Sequence, residues 1–278
     1  PYSELSRALG LEHDVYLKRE DQHKYGSHKG RSIPIMIKKY FKEDNLTNFV
    51  ISSSGNAAIA AVHAVQAHNR NNPTKIKLTV FIGEHINPDK LKTLMAILED
   101  ANIKIEQVNN PKQMAFQMDK NGEAKLLRQS IDDTALEGYI ELADELIKIP
   151  HLSAVFIPSS SGTTAEGLGK AFADLEKNIQ IHIIQTSSCH PIVDVIKQTE
   201  KNEEISLADA IVDKTAYRKE NVANIVKETN GSAWLATNKE IKEAIDLVEE
   251  TCQIKISPNS ALSVIGLKQA IENKWKFS

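Results

Sequence analysis

Three short stretches hold the residues best suited to chemistry. Gly26-Ser27-His28-Lys29-Gly30-Arg31 places a lysine between two glycines, where an extended run gives way to a helical pattern. Ser52-Ser53-Ser54-Gly55-Asn56 and Ser159-Ser160-Ser161-Gly162-Thr163-Thr164 have the same setting, with a strand before and a helix after. In an open parallel sheet such turns lie at the carboxyl ends of strands, where ligands bind. Small residues let the backbone come close to a ligand, and N–H groups at a helix start hold anions. The third turn offers Ser159, Ser160, Ser161 and Thr163 around Gly162 as short uncharged donors, which suits a phosphate. It has neither the Gly-Lys-Ser/Thr ending of a Walker loop nor the GxGxxG of a dinucleotide loop. Any one of these turns is also what an ordinary capped helix start looks like, because Ser and Thr are good N-caps.

Lys29 adds a reactive group. A helix start and partial desolvation both disfavour an ammonium, which leaves a nucleophilic amine. A lone lysine is more commonly a solvated surface charge, and His28 beside it is as well explained by a structural role. Taken together, an amine nucleophile, a hydroxyl-rich anion turn and an asparagine at a helix start are the set that pyridoxal 5'-phosphate requires.

The elements that position these residues follow from hydrophobic period. Strands are predicted at Val15–Lys18, Phe49–Ser52, Lys77–Ile82, Lys104–Val108, Ala154–Pro158, Ile179–Thr186 and Ala233–Ala236, each bounded by polar, Gly or Pro residues. Three- and four-residue apolar spacing predicts helices over Leu91–Asp100, Thr134–Lys148, Ala165–Lys177 and Lys239–Thr251, and an Ala-rich buried helix over Ala57–Ala67. Asn87-Pro88 and Ser257-Pro258 read as helix openings. This alternation implies an α/β fold, two-lobed, with mostly parallel sheets flanked by helices. The break at Ile149-Pro150-His151 is read as a domain crossing. The expected division is residues 1–41 with 151–278 as a larger cofactor-binding domain and 42–150 as a smaller, mobile one.

Composition narrows the class. The 278 residues carry 34 basic and 37 acidic side chains, a net charge of −3, with 41% hydrophobic residues. No basic excess points to nucleic acid or an anionic membrane, and no apolar run is long enough to span a bilayer. Two distant cysteines, Cys189 and Cys252, argue against a disulfide scaffold or a cysteine-based metal site. His63, His68 and His85 form no metal-ligand pattern. The chain opens at Pro1 without a signal-like segment, and a cytoplasmic protein is the expectation.

The ordered motifs resemble the tryptophan-synthase-β-like, or fold type II, superfamily of pyridoxal-phosphate enzymes along nearly the whole chain. Pro1-Tyr2-Ser3-Glu4-Leu5 is similar to the family's Thr-Pro-Leu opening, and Val15 through Asp21 followed by Gly26-Ser27-His28-Lys29 to its Lys-Arg-Glu-Asp…Ser-x-Lys segment. The resemblance makes Lys29 the catalytic Schiff-base lysine and Asn56 the contact to the cofactor's ring oxygen. It gives the substrate carboxylate to Ser53, Ser54, Gly55 and Asn56. The phosphate goes to Ser159, Ser160, Ser161, Gly162 and Thr163. The family's closing Thr-Gly-x-Gly-Leu-Lys has no counterpart up to Ser278, so Asn259 or Ser260 stands in as partner of the pyridine nitrogen. A neutral partner there favours elimination and replacement over transamination. Homodimers are usual in the superfamily.

Within it, Thr215–Trp234 and Ser257–Leu267 look most like threonine synthase, Ser27-His28-Lys29 leans toward tryptophan synthase β, and Asp132-Asp133 ahead of Gly138 is similar to threonine dehydratase. The implied activity is threonine-synthase-like elimination and replacement on a small amino acid. The alternatives are threonine/serine dehydratase-type β-elimination and a catalytically inactive module of the same fold. Ala135 stands where threonine synthases carry an arginine for the substrate phosphate, which weighs against phosphohomoserine.

Overall fold

Strand and helix alternate as the hydrophobic pattern requires. The computed structural model describes residues 1–199 and 204–277. Within them the first half runs α1 (Ser3–Ala8), α2 (Lys29–Glu43), β1 (Asn48–Ser52), α3 (Asn56–Asn71), β2 (Lys77–Gly83), α4 (Pro88–Ala96), β3 (Ile103–Val108), α5 (Pro111–Lys120) and β4 (Lys125–Leu126). The second runs α6 (Ile140–Leu146), β5 (Ala154–Pro158), α7 (Thr163–Asp174), β6 (Gln180–Thr186), α8 (Val193–Ile196), α9 (Lys219–Glu228), β7 (Ala233–Ala236), α10 (Asn238–Cys252) and α11 (Pro258–Glu272). No described helix is long and apolar enough to cross a membrane.

The chain divides into two compact units, Arg19–Glu141 and Pro1–Lys18 with Leu142–Ser278. In the first, four parallel strands lie in the order β3-β2-β1-β4. Because side chains alternate across a strand, Phe49, Ile51, Leu78, Val80 and Ile82 share a core with Ile33, Met36 and Ile37 of α2 and the alanines of α3. Val50 and Phe81 face the other way, toward Ala115 of α5. Asn87 accepts a hydrogen bond from Asp89 N at 2.8 Å to open α4, the role its sequence announces.

In the second unit three parallel strands run β5-β6-β7. Every residue of β6 is buried. One face packs on α10 and α11 through Ile184, Trp234, Ile241, Leu262 and Ile265. His182 sits inside this unit among aromatic rings. It stacks on Phe156 at 4.4 Å and lies 6.0 Å from Trp234 and 5.4 Å from Trp275. Its Nδ1 accepts from Ser232 N at 3.1 Å and from Trp234 Nε1 at 3.2 Å. Burial holds this imidazole down to about 4, so it stays neutral.

Three expectations differ from the structure. Val15–Lys18 joins no sheet: Val15 N donates to Ser6 Oγ at 3.1 Å and Val15 O accepts from Tyr2 N at 2.8 Å, so this run pairs locally with the α1 region. The helix expected over Thr134–Lys148 starts as a 3-10 segment, Asp133–Tyr139, capped by Asp132, before α6 begins. Lastly, the unit boundaries fall at 18/19 and 141/142, which differs from the expected division of 1–41 with 151–278 against 42–150. The reason is α2, whose apolar face is buried in the core of the four-stranded sheet.

Candidate active site

Lys29 is the first residue of α2, in the unit Arg19–Glu141. A buried ion pair fixes this helix start. Arg31, two residues on and 1% exposed at its side chain, donates to both carboxylate oxygens of Glu20 at 2.7 and 2.8 Å. Such a planar two-point pair sets orientation as well as position. It also gives the Lys18-Arg19-Glu20-Asp21 run a physical purpose, since Glu20 is the residue that holds the lysine-bearing helix. Gly30 is needed for closeness: a Cβ there would lie 2.7 Å from His23 Nδ1.

Electrostatics at this point favour neutral groups. Burial brings the Lys29 ammonium from 10.5 down to about 8. His28 is pushed to about 3, by burial first and then by the Lys29 charge. Ser27 Oγ and His23 Nδ1 are buried without a hydrogen-bond partner. Buried polar atoms left open in this way are uncommon, and they lie within six residues of a desolvated amine.

The same unit carries the second turn. Ser53 and Ser54 follow β1, Gly55 is the N-cap of α3, and Asn56 is its first residue, with an exposed side chain. Gly55 N donates to Ser53 Oγ at 3.3 Å. A cavity of about 420 Å³ opens at the carboxyl ends of β1 and β2, lined by Ser52, Ser53, Ser54, Gly83, Asn110 and Lys112 among others. Ala135, by contrast, is fully buried in the hydrophobic core of this unit.

The third turn joins β5 to α7 in the other unit. Gly162, the N-cap of α7, has φ +88°. An added Cβ would meet Val222 Cγ2 at 2.8 Å, so only glycine fits. Ser159 is buried, with its N–H donating to Ile184 O at 2.9 Å and its hydroxyl to Ile157 O at 3.2 Å. Ser160 behaves differently. Its Oγ accepts from Val212 N and Asp213 N, each at 3.2 Å, and its own proton is left for a further acceptor. Ser161 Oγ and Thr163 Oγ1 are hydrogen-bonded to each other at 2.9 Å. Gln185, missed by sequence reasoning, secures the turn: Nε2 donates to Ser159 O at 2.9 Å, and Oε1 accepts from Ile192 N and Val193 N.

Asn259 and Ser260 open α11 in that same unit. Asn259 Oδ1 accepts from Ala210 N and its Nδ2 donates to Asp209 Oδ1, both at 3.0 Å. The Ser260 hydroxyl pairs with Ser257 Oγ at 3.1 Å and is exposed. Lys29 and Ser53–Asn56 thus belong to one unit, and Ser160–Thr163, Asn259 and Ser260 to the other. The donor set suits pyridoxal 5'-phosphate: an amine close to neutrality with unsatisfied polar atoms in the segment leading up to it, and hydroxyl donors at a helix start of positive potential.

Comparison with known proteins reaches the same chemistry independently. The model of a family described as pyridoxal-phosphate dependent enzyme matches residues 1–276. No curated protein sequence matches the chain significantly. Among solved structures, threonine deaminase isoform 2 from Solanum lycopersicum superimposes with a TM-score of 0.80 at 18% identity, covering 98% of this chain and 74% of its own. Serine racemase from Dictyostelium discoideum gives 0.79 at 21% identity, covering 98% and 86%. A fungal L-serine ammonia-lyase from Rhizomucor miehei gives 0.77 at 13% identity, again covering 98% and 86%. At these identities the likeness is one of fold.

Proposed function

Because the chain belongs to the family of pyridoxal-phosphate-dependent enzymes, we propose that it removes the β-hydroxyl from a small hydroxy amino acid such as serine or threonine. The net products are a 2-oxo acid and ammonia, the water lost in elimination being returned by hydrolysis. When bound, the cofactor draws electrons away from the substrate's α-carbon.

Lys29 Nζ is the amine that would hold the cofactor and the base that would take the substrate's α-proton. Ser53, Ser54, Gly55 and Asn56 hold the substrate carboxylate, with Asn56 also beside the cofactor ring. Ser160, Ser161, Gly162 and Thr163 hold the phosphate, and Asn259 or Ser260 serves the pyridine nitrogen. The observation that carries the reading is the place of Lys29, first residue of α2, on a helix start held by the Arg31–Glu20 pair and two residues from the unsatisfied Ser27 hydroxyl; burial lowers its amine to about 8. A base that titrates near working pH is available in both protonation states.

Ala135 supports a hydroxyl over a phosphate leaving group, since the position that would grip a substrate phosphate is packed into apolar core. The solved structures of a threonine deaminase and a serine ammonia-lyase fit this alternative at least as well as a threonine-synthase-like activity.

The test uses the holoenzyme. Borohydride reduction and peptide mapping should fix one pyridoxyl group on Lys29, and L-serine or L-threonine should yield 2-oxo acid and ammonia in equal amounts. Threonine and inorganic phosphate from O-phosphohomoserine, without oxo acid from serine or threonine, would restore the synthase reading. Bound cofactor with no turnover of any of these would point to the inactive module.

A further inference from the structure

Behind the serine turn lies a buried charge cluster that the proposed chemistry does not use. Glu166, in the first turn of α7, is 0% exposed at its side chain. Its Oε2 accepts from Arg218 Nη1 at 2.9 Å. Its Oε1 accepts from Lys170 Nζ at 2.7 Å and Asn221 Nδ2 at 2.9 Å. Arg218, 4% exposed, is the N-cap residue of α9 and sits directly behind Gly162, whose absent Cβ would lie 3.5 Å from the Arg218 Cβ.

The segment leading into Arg218 is tightly determined. Asp213 Oδ1 accepts from Thr215 N and Ala216 N, both at 3.0 Å, and Ala216 has φ +40°, a conformation L-residues avoid unless their surroundings impose it. The other end of this turn delivers Val212 N and Asp213 N to Ser160 Oγ. A hydroxyl that accepts two N–H bonds is polarised, and its own proton becomes the better donor. The path therefore runs from Glu166 through Arg218 and the strained turn to the Ser160 proton.

We propose that Glu166 is a positioning residue for the cofactor's phosphate: through Arg218 and Asn221 it holds the 212–218 turn that polarises Ser160. This rests on the phosphate-holding role given to Ser160–Thr163 above. A buried carboxylate with its charged partners is a poor source of stability compared with apolar packing of the same volume, and here it fixes a donor.

The experiment compares pyridoxal 5'-phosphate with pyridoxal, which lacks the phosphate, on wild type, Glu166→Gln and Asn221→Ala. Dissociation constants come from equilibrium dialysis and the environment of the bound phosphate from its ³¹P resonance in the holoenzyme. Glu166→Gln should weaken the phosphorylated cofactor about ten-fold, shift the ³¹P resonance and leave pyridoxal affinity unchanged. Asn221→Ala removes an exposed donor without stranding a charge. It should fold even if Glu166→Gln does not, and give a smaller change, about two- to three-fold, in the same direction. Equal weakening of both ligands in the variants, or no change in either, overturns the proposal. A wild type that binds neither ligand overturns the family-based assignment of the turn as well, which keeps the two failures distinct.

Discussion

Replacing Lys29 by methionine should stabilise the cofactor-free protein at neutral pH, by an amount that follows from the surroundings of the amine. Burial brings this lysine from 10.5 down to about 8. Each unit of displacement corresponds to about 1.4 kcal/mol. Holding the charged form in the folded chain near pH 7 therefore costs up to about 3 kcal/mol, a ceiling because part of the side chain still touches water. The unfolded chain binds the proton more tightly, so the penalty is complete below about pH 8, shrinks as pH rises and is gone near 10.5. Methionine fills a similar volume without charge. The gain in Lys29→Met should accordingly be up to about 3 kcal/mol near pH 7 and fall toward zero above pH 10.5. Urea unfolding of both apo proteins, followed by far-ultraviolet circular dichroism across this range, measures it. Equal stability near pH 7, or a gain that does not decline with pH, would show that the amine is solvated and would refute the argument. The same variant should take up no borohydride-fixed pyridoxyl.

Three further outcomes follow from the geometry. Gly162→Ala forces a Cβ to 2.8 Å from Val222 Cγ2 at φ +88°, and should lower stability by about 1–3 kcal/mol in calorimetry while weakening cofactor retention in dialysis. Arg31→Met strands the half-buried Glu20 carboxylate and should destabilise by about 3–5 kcal/mol in denaturant, whereas the Arg31→Met, Glu20→Met pair should recover much of the loss. His28 and His182, held to about 3 and about 4, stay neutral in the folded chain while their unfolded counterparts protonate near 6.5. Stability should therefore decline as pH falls below about 6.5, and His28→Gln should flatten that decline in acid titration of the apo protein.

Much of the frame was legible because short apolar runs bounded by polar, Gly or Pro residues mark the strands of a parallel sheet. Ala154–Pro158 and Ala233–Ala236 appear with the predicted bounds, and Ser257 caps α11 by accepting from Ser260 N as its Ser-Pro signature implies. Val15–Lys18 misled because a short apolar run has the same pattern whether it joins a ladder or lies alone against a helix. The two-residue β4 is too short to carry a period. Membership of α2 in one unit or the other depends on which sheet its Ile33 and Met36 meet, a long-range fact that no local pattern encodes. At the site, hydroxyl-rich turns were visible by type, but not the direction of each hydroxyl, which turns Ser159 to Ile157 O and sets Ser160 apart. Glu20, Glu166 and Arg218 were missed since a charged residue reads as solvent-facing until a partner distant in sequence is brought beside it.

The aromatic nest around His182 has a practical corollary for anyone following this protein in solution. The chain has two tryptophans, Trp234 and Trp275, and both rings lie within 6.0 Å of one imidazole in the same compact unit. Indole emission is therefore a beacon for the three-stranded half only, and protonating His182 would dim it without any chain opening. The half that carries Lys29 is dark at those wavelengths, so it could melt while the fluorescence trace stays flat.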